Sequence, residues 1–256
     1  MKNTNELIQK RKNKILSLLQ EFNSLSVFDL SERLGISEIT VRRDLATLDR
    51  MGLVRRFHGG AEKVDNIDDY TEENRQLDCI KLQLAKKAAS FIKENDTIFI
   101  NTSSTALLSL SYTEDKRLTV ITNNVKVANL DHNPHSTIIL SGGEIRFPKE
   151  ALVGDIAIDS FSKMKADICI IGCSGITAED GITTPIFHEA KINKLIIDRT
   201  HGLKIVVADY RKIGKTVNFL SGRLEEIDYL ITDSFANTAM IEKIEQKGVN
   251  VIQIPI

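Results

Sequence analysis

The sequence predicts an α/β protein in two parts: a small N-terminal unit of three helices and a β-hairpin, followed by a larger open, mainly parallel α/β domain. Two observations support this prediction. Apolar residues recur at helical spacing three times in the first fifty residues, and from about Ile80 onward short β-rich runs alternate with amphipathic helices. At 256 residues, 42% of them hydrophobic, the chain is long enough to fold both parts.

The three N-terminal helices follow from apolar spacing and from capping residues. Helical periodicity predicts a first helix from Glu6 to Phe22. Ser26 and Asp29 are spaced like a capping box for a second helix, which Gly35 ends. Ser37 is placed to cap a third helix that runs to about residue 51. The apolar face of this third helix consists of Val41, Leu45 and Leu48.

A hairpin and an acidic segment come next. In "LVRRFHGGAEKV", two β-prone runs flank a Gly-Gly pair, which is a strong turn signal and predicts a two-stranded wing. The segment "KVDNIDDYTEEN", Lys63 to Asn74, is polar and acidic and predicts a linker. The predicted organisation is therefore a first domain over residues 1–62, a linker over 63–76 and a second domain over 77–256.

β-rich apolar runs predict the sheet of the second domain. They are "TIFI", "LTVIT", "TIIL", "ICIIG", "KIVVA" and "YLIT". Amphipathic helices lie between some of them or after them, such as Lys81 to Lys93 and Ala236 to Lys247. This order of strands and helices is typical of a parallel sheet that is covered on both faces.

Composition and patterning exclude several classes of protein. No apolar run approaches the roughly 18 residues of a membrane span, and the start lacks the apolar core of a secretory signal, so we expect a cytoplasmic protein. Cys169 and Cys173 lack histidine partners at zinc spacing, and all three cysteines, including Cys79, are expected to be buried thiols. Four scattered histidines likewise indicate no metal site: His132, His135, His188 and His201. No metal and no cofactor are predicted.

Positive charge is concentrated in one stretch of a chain whose formal net charge is −1. Between Thr40 and Gly60 there are five arginines and two acids. Three helices and a basic hairpin are typical of a winged helix-turn-helix, whose third helix enters the major groove of DNA while the wing lies on the adjacent backbone. The predicted DNA-contacting residues are Ser37, Thr40, Arg42, Arg43 and Thr47 of the helix and Arg55, Arg56 and His58 of the wing. A solvated, ion-paired helix face is the alternative interpretation, and it leaves the wing arginines unexplained.

Positions along almost the whole chain also match one known pattern. The N-terminal positions are Arg11, Ile15, Leu19, Ser37, Thr40, Val41, Arg42, Arg43, Asp44 and Leu45, with "FHGGA" closing the wing. Later segments are "VITNN", "LSGGEIRFPKEALVG", "GCSGITAEDGITT" and "VADYRKIGK". With these residues the chain resembles the DeoR family of bacterial regulators of sugar metabolism. The resemblance implies a homodimer or homotetramer, and an effector domain similar to the ribose-phosphate isomerase fold that senses a phosphorylated sugar and alters DNA binding.

Polar residues gather where the predicted strands end, which is where open α/β sheets bind ligands. The hydroxyls and backbone N–H groups of "NTSST" could hold a phosphate at the start of a helix, while Lys212 adds positive charge and Asp209 accepts sugar hydroxyls. The predicted effector-binding residues are Thr102, Ser103, Ser104, Thr105, Asn123, Asn124, Gly142, Gly143, Gly172, Asp209 and Lys212. Taken singly, such turns more often only cap helices or reverse the chain.

The chain departs from the family pattern at Tyr210, where the family's D-S-x-K segment has serine, and at three positions that concern the effector more directly. Asn101 stands where many members have aspartate, Ser103 where they have a glycine able to adopt positive φ, and Asn193 where they have a basic residue. The expected effector is therefore a phosphorylated sugar or a related metabolite such as a sugar acid.

Two other functions compete with that of an effector-controlled repressor. Glu179 and Asp180 could serve an isomerase as bases, but they lie beside Gly181 in what reads as an exposed turn, and we predict that the chain is not an enzyme. Alternatively, the second domain only holds a dimer together on an operator with two half-sites. Stabilisation by a ligand would separate a sensor from such an oligomerising domain. The predicted function is that of a repressor of a sugar-utilisation operon, released from operator DNA by the effector.

Overall fold

The computed structural model describes residues 2–50, 53–57, 59–63, 72–130 and 132–256. The chain divides into two compact units, Met1–Asp78 and Cys79–Ile256. The helices are α1 (Lys2–Phe22), α2 (Val27–Leu34), α3 (Glu38–Arg50), α4 (Glu72–Ala89), α5 (Ser104–Leu108), α6 (Asp155–Lys163), α7 (Phe187–Arg199) and α8 (Thr238–Glu245). The strands are β1 (Ser24–Ser26), β2 (Val54–Phe57), β3 (Gly60–Lys63), β4 (Thr97–Ile100), β5 (Thr119–Thr122), β6 (Thr137–Leu140), β7 (Glu144–Arg146), β8 (Ala151–Val153), β9 (Ala166–Gly172), β10 (Gly175–Thr177), β11 (Gly181–Thr184), β12 (Thr200–Val207), β13 (Phe219–Gly222), β14 (Tyr229–Asp233) and β15 (Asn250–Ile254).

The first unit is a helix-turn-helix with a wing, as predicted. Ser26 caps α2 and forms the predicted capping box with Asp29, and Gly35 ends the helix at φ 63°. The wing strands β2 and β3 are joined by β1 in an antiparallel sheet of order β1-β3-β2. The sequence did not predict β1, because three residues are too few to show alternation. The core of this unit includes Ile15, Leu19, Leu30, Val41, Leu45, Leu48 and Val54.

The predicted linker, residues 63–76, has a described beginning and end. Lys63 is the last residue of β3, and α4 begins at Glu72. Residues 64–71 lie outside the described part of the chain.

The second unit is built on a seven-stranded sheet of order β15-β14-β12-β9-β4-β5-β6, and every ladder between these strands is parallel. The predicted mainly parallel α/β sheet is therefore confirmed. Its central strand β9 is buried over most of its length, as is typical of a strand inside a parallel sheet. On one face, Phe99 of β4 packs edge to face against Phe161 of α6, with ring centroids 5.3 Å apart.

Two small antiparallel sheets flank the parallel one. β10, β11 and β13 form one of them, and the hairpin of β7 and β8 forms the other. The hairpin begins directly after Gly142 and Gly143, which adopt φ of 71° and 107°. A side chain at Gly143 would lie 2.4 Å from the carbonyl oxygen of Val153, so this predicted effector residue is a glycine for a local steric reason.

The three cysteines differ in exposure. Cys169 is buried, as expected, and burial raises the pKa of its thiol to about 11. Cys173 is partly buried, and Cys79 is exposed, so the expectation of a buried thiol was wrong for Cys79. That expectation rested on the usual burial of free cysteines, which says nothing about the side of α4 on which Cys79 lies. Within the described residues, no helix is long and apolar enough to cross a membrane.

Candidate functional sites

The third helix of the first unit turns one face to its core and the other to solvent. Val41, Leu45 and Leu48 are at most 1% exposed, whereas Arg42 and Arg43 are exposed. This division follows from helical periodicity, which places residues three and four apart on one face. α3 therefore presents arginines on its surface in the way a recognition helix requires.

Most of the polar residues predicted on α3 already make local contacts. The hydroxyls of Ser37 and Thr40 lie 2.9 Å apart, and the Ser37 hydroxyl also accepts a hydrogen bond from the Thr40 backbone N–H. The Thr47 hydroxyl donates to the Arg43 carbonyl oxygen at 3.0 Å. Arg42 forms an ion pair with Glu38 at 3.0 Å, with both side chains about half exposed. These contacts position the predicted side chains at the surface, and their roles toward DNA remain predictions.

The acid next to the two arginines faces inward. Asp44 is 3% exposed and accepts two hydrogen bonds from the Arg11 guanidinium of α1, at 2.5 and 3.1 Å. The hydrogen bond to Asp44 is the main reason why the pKa of Arg11 is raised above its ordinary value. Because Arg11 neutralises Asp44 inside the unit, this carboxylate does not cancel the positive charge that Arg42 and Arg43 present outside.

The wing carries its arginines on an exposed strand. Arg55 faces Glu62 across the hairpin and forms an ion pair with it. The backbone N–H of Arg56 donates to Asp49 of α3 at 3.1 Å, which ties the wing to the helix. Both arginine side chains are exposed. The predicted contact His58 lies outside the described residues.

A polar cavity of about 380 Å³ lies at the carboxyl ends of strands in the second unit. Residues directly after β4, β5, β9 and β12 line it, as expected for an open α/β sheet. Eight of the eleven predicted effector-binding residues are in its wall: Thr102, Ser103, Ser104, Thr105, Asn124, Gly172, Asp209 and Lys212. Asn123, Gly142 and Gly143 are not part of the wall. Asn123 is 1% exposed and donates to the Leu152 carbonyl oxygen.

Most charged residues of the cavity wall are cations, and of these the sequence predicted only Lys212. The wall contains Lys81, Lys126, Lys149, Arg211 and Lys212 against the carboxylates of Glu189 and Asp209. Five cations and two acids leave an excess of three positive charges. Among the described residues, neither Lys126 nor Lys212 forms an ion pair with a carboxylate within 4 Å. A cavity of this charge favours an anion.

Asp209 and Arg211 form a pair at the end of β12. The Arg211 guanidinium donates two hydrogen bonds to the Asp209 carboxylate, of 2.8 and 3.1 Å, and the Arg211 backbone N–H donates a third of 3.2 Å. Burial by itself would raise the pKa of Asp209, but the hydrogen bonds from Arg211 and the charges of Arg211 and Lys212 outweigh it and lower the pKa below its ordinary value. Asp209 is therefore an ionised acceptor in the cavity at neutral pH.

Glu189 is the second carboxylate of the cavity wall, and its two oxygens have different surroundings. The residue is 3% exposed, and its Oε2 accepts from the Thr184 hydroxyl at 3.1 Å and from Lys149 at 3.4 Å. Among the described residues, Oε1 has no hydrogen-bond partner, and Arg146 lies 3.9 Å from it. A buried carboxylate oxygen without a hydrogen bond is costly to maintain, so it is a good candidate for contact with a ligand.

Two of the positions that depart from the family pattern contact each other. The Asn101 side-chain amide donates to Oδ1 of Asn193 and to the carbonyl oxygen of Gly172, both at 2.9 Å. Its oxygen accepts from the backbone N–H groups of Ser103 and Gly172, both at 3.1 Å. Asn193 in turn donates to Ser221 of β13 at 3.3 Å. Asn101 thus holds the start of the "NTSST" turn with all of its hydrogen-bonding capacity.

The third departure is accommodated without backbone strain. Ser103 adopts φ −66° and ψ 126°, so the position does not need the freedom of glycine. Its hydroxyl caps the five-residue helix α5 and lies against Gly172. A Cβ atom at position 172 would lie only 2.1 Å from the Ser103 hydroxyl oxygen. Because α5 is so short, the charge of the cavity depends on its cationic side chains more than on a helix end.

Sequence reasoning missed Glu189 and Lys149 as wall residues for different reasons. Lys149 reaches the cavity from the turn of the β7–β8 hairpin, and the rule about strand ends does not cover hairpins. Glu189 is in the first turn of α7, where an acid normally only caps the helix. The acids considered for catalysis, Glu179 and Asp180, are exposed and lie outside the wall of this cavity.

Comparison with known proteins matches both units to family descriptions. Residues 11–66 match a DeoR-like helix-turn-helix domain, and residues 79–234 match a DeoR C terminal sensor domain. The HTH-type transcriptional regulator GolR of Listeria innocua is 34% identical over 249 residues, which cover 94% of this chain and 96% of that protein. The glycerol-3-phosphate regulon repressor of Escherichia coli K12 is 29% identical over 228 residues, which cover 88% and 90%. Among solved structures, ribose 5-phosphate isomerase of Methanocaldococcus jannaschii aligns with a TM-score of 0.38 and 16% identity over 53% of this chain and 54% of that chain.

Proposed function

The chain belongs to the DeoR family of DNA-binding transcriptional regulators, and on that premise we propose that it is a repressor of a sugar-utilisation operon, released from its operator by a phosphorylated sugar or sugar acid. The cationic cavity of the second unit carries this proposal. Its volume, about 380 Å³, is at the small end for ligand sites and suits a small metabolite. As an operator-bound regulator it would act in the cytoplasm.

For DNA, the proposal assigns base contacts to α3 and backbone contacts to the wing. Arg42 and Arg43 are exposed on α3, and a guanidinium suits the two acceptors of guanine in the major groove. Arg56 is exposed on β2 and suits a phosphate. A recognition helix of this size reads few bases, so we propose that a homodimer or homotetramer places two copies on an operator with two half-sites.

For the effector, the proposal assigns the phosphate to the cations and the hydroxyls to the carboxylates. Lys126 and Lys212 carry charge that no carboxylate within 4 Å balances among the described residues. Asp209 is ionised, and Oε1 of Glu189 accepts no hydrogen bond from any residue that the structure describes, so both can accept from the hydroxyls of a sugar. A ligand with a phosphate and several hydroxyls satisfies both sets of groups at once.

The first experiment is a thermal-shift screen of the full-length chain against phosphorylated sugars and sugar acids, with their unphosphorylated parents as controls. A sensor gains RT ln(1 + [L]/Kd), or about 2.7 kcal/mol at a hundredfold excess over Kd. We expect stabilisation by one phosphorylated compound and not by its parent, and the same compound should release DNA in a mobility-shift assay. Absence of stabilisation across the panel would favour a second domain that only mediates oligomerisation.

A further inference from the structure

Ile39 is the most exposed large apolar side chain that the structure describes, at 79%. It is the second residue of α3, directly before Thr40. Single apolar residues are common on protein surfaces and need no explanation by themselves. The position of Ile39 on its helix gives this one a specific meaning.

Helical geometry places Ile39 in the middle of the solvent-facing side of α3. At 3.6 residues per turn, Leu48 of the core lies about 180° around the helix from Ile39. Arg43 and Ala46, four and seven residues later, share the face of Ile39. The face opposite the core therefore begins with an exposed branched hydrocarbon and continues with an arginine one turn later.

The major groove offers only one apolar group to such a side chain, the C5-methyl of thymine. The proposed role of α3 in DNA binding is the premise here, and from it we propose that Ile39 packs against a thymine methyl in the operator and specifies that base. Ile39 and Arg43 are about 6 Å apart along the helix axis, which spans at most about two base pairs at 3.4 Å each, because a helix in the groove lies oblique to the duplex axis. The thymine therefore lies within about two base pairs of the base that Arg43 reaches.

The test uses the full-length protein and a duplex that it selects from a randomised library at one fixed salt concentration. Each thymine of the selected duplex is replaced in turn by deoxyuridine, which removes only the C5-methyl group. At one thymine per half-site we expect the wild type to lose about fourfold in affinity, since burial of one such group is worth about 0.8 kcal/mol. Ile39→Ala should bind the thymine and deoxyuridine duplexes equally, and Ile39→Val should keep most of the discrimination.

Arg56→Ala is the matched control, because it changes a proposed phosphate contact. It should weaken binding to both duplexes equally and keep the fourfold ratio. The inference is overturned if no thymine responds in the wild type, or if Ile39→Ala discriminates as well as the wild type. It is also overturned if Ile39→Ala alters only the oligomeric state, since Ile39 would then contact a second copy of the chain. Failure to select any duplex would instead refute the proposed DNA-binding face together with this inference.

Discussion

Removing Arg11 should loosen helix α3 of the first unit. The Asp44 side chain of α3 is 4% exposed, and it accepts two hydrogen bonds from the guanidinium of Arg11, whose side chain is 26% exposed. Arg11→Met keeps the hydrocarbon part of the side chain and leaves a buried carboxylate without its cation. Removal of one partner from a buried pair destabilises by about 3–5 kcal/mol. Because Arg11 is partly solvated, we expect the lower end, about 3 kcal/mol.

Hydrogen exchange of the full-length chain can measure this effect, because it reports opening of each unit separately. A loss of about 3 kcal/mol corresponds to amide exchange in α3 that is roughly 150-fold faster. Arg42→Met is the control, since it breaks an exposed ion pair on the same helix that is worth at most about 0.5 kcal/mol. The double variant Arg11→Met with Asp44→Leu should recover most of the protection, because a hydrophobic pair can replace a buried ion pair. If Arg11→Met exchanges no faster than Arg42→Met, the pair does not hold the helix.

Four further outcomes are expected. Lys212→Ala should lower affinity for the phosphorylated effector about tenfold in titration calorimetry, since about 1.4 kcal/mol of attraction is lost, and should leave DNA binding without effector unchanged. Asn101→Asp removes two buried donors and should lower the melting temperature of the second unit by roughly 4–8 °C, from about 2 kcal/mol. The pKa of Asp209 is lowered from 3.8, so its ion pair with Arg211 stabilises the second unit above about pH 4 and this contribution is lost as the pH falls further. The difference in free energy of unfolding between the wild type and Asp209→Asn, measured with urea, should therefore shrink as the pH falls below about 4. Iodoacetamide at neutral pH should label exposed Cys79 before Cys173, because burial raises the pKa of the Cys173 thiol to about 12, and equal rates in a mass-spectrometric time course would contradict this.

The sequence predicted those features that depend on neighbouring residues. The capping box of Ser26 and Asp29, the αL residue Gly35 and the inward face of α3 are all local, and the structure has them. Family membership is likewise confirmed, and with it the prediction that the chain is a regulator and not an enzyme, since the curated relatives are named regulators or repressors. Motif positions spread over most of the chain made this prediction specific.

The sequence did not reveal which distant residues share the cavity. Lys149 lies in the turn of a hairpin and forms an ion pair with Glu189, forty residues away in the sequence. Hydrophobic periodicity does not predict a contact over such a distance. Asn101 and Asn193 each stood out as a departure from a pattern, but their hydrogen bond spans ninety-two residues and becomes visible only in the structure. The sequence analysis also did not single out Ile39, although this residue lies about 180° around α3 from Leu48 of the predicted apolar face. Its 79% exposure is seen only in the structure.

The contact between Asn101 and Asn193 also limits how this protein can evolve. Both amides are at least 96% buried, and Asn101 uses every donor and acceptor it has. A mutation at either position alone leaves a buried group unsatisfied, so selection should remove single changes and keep paired ones. Across relatives, the residues at these two positions should therefore be exchanged together.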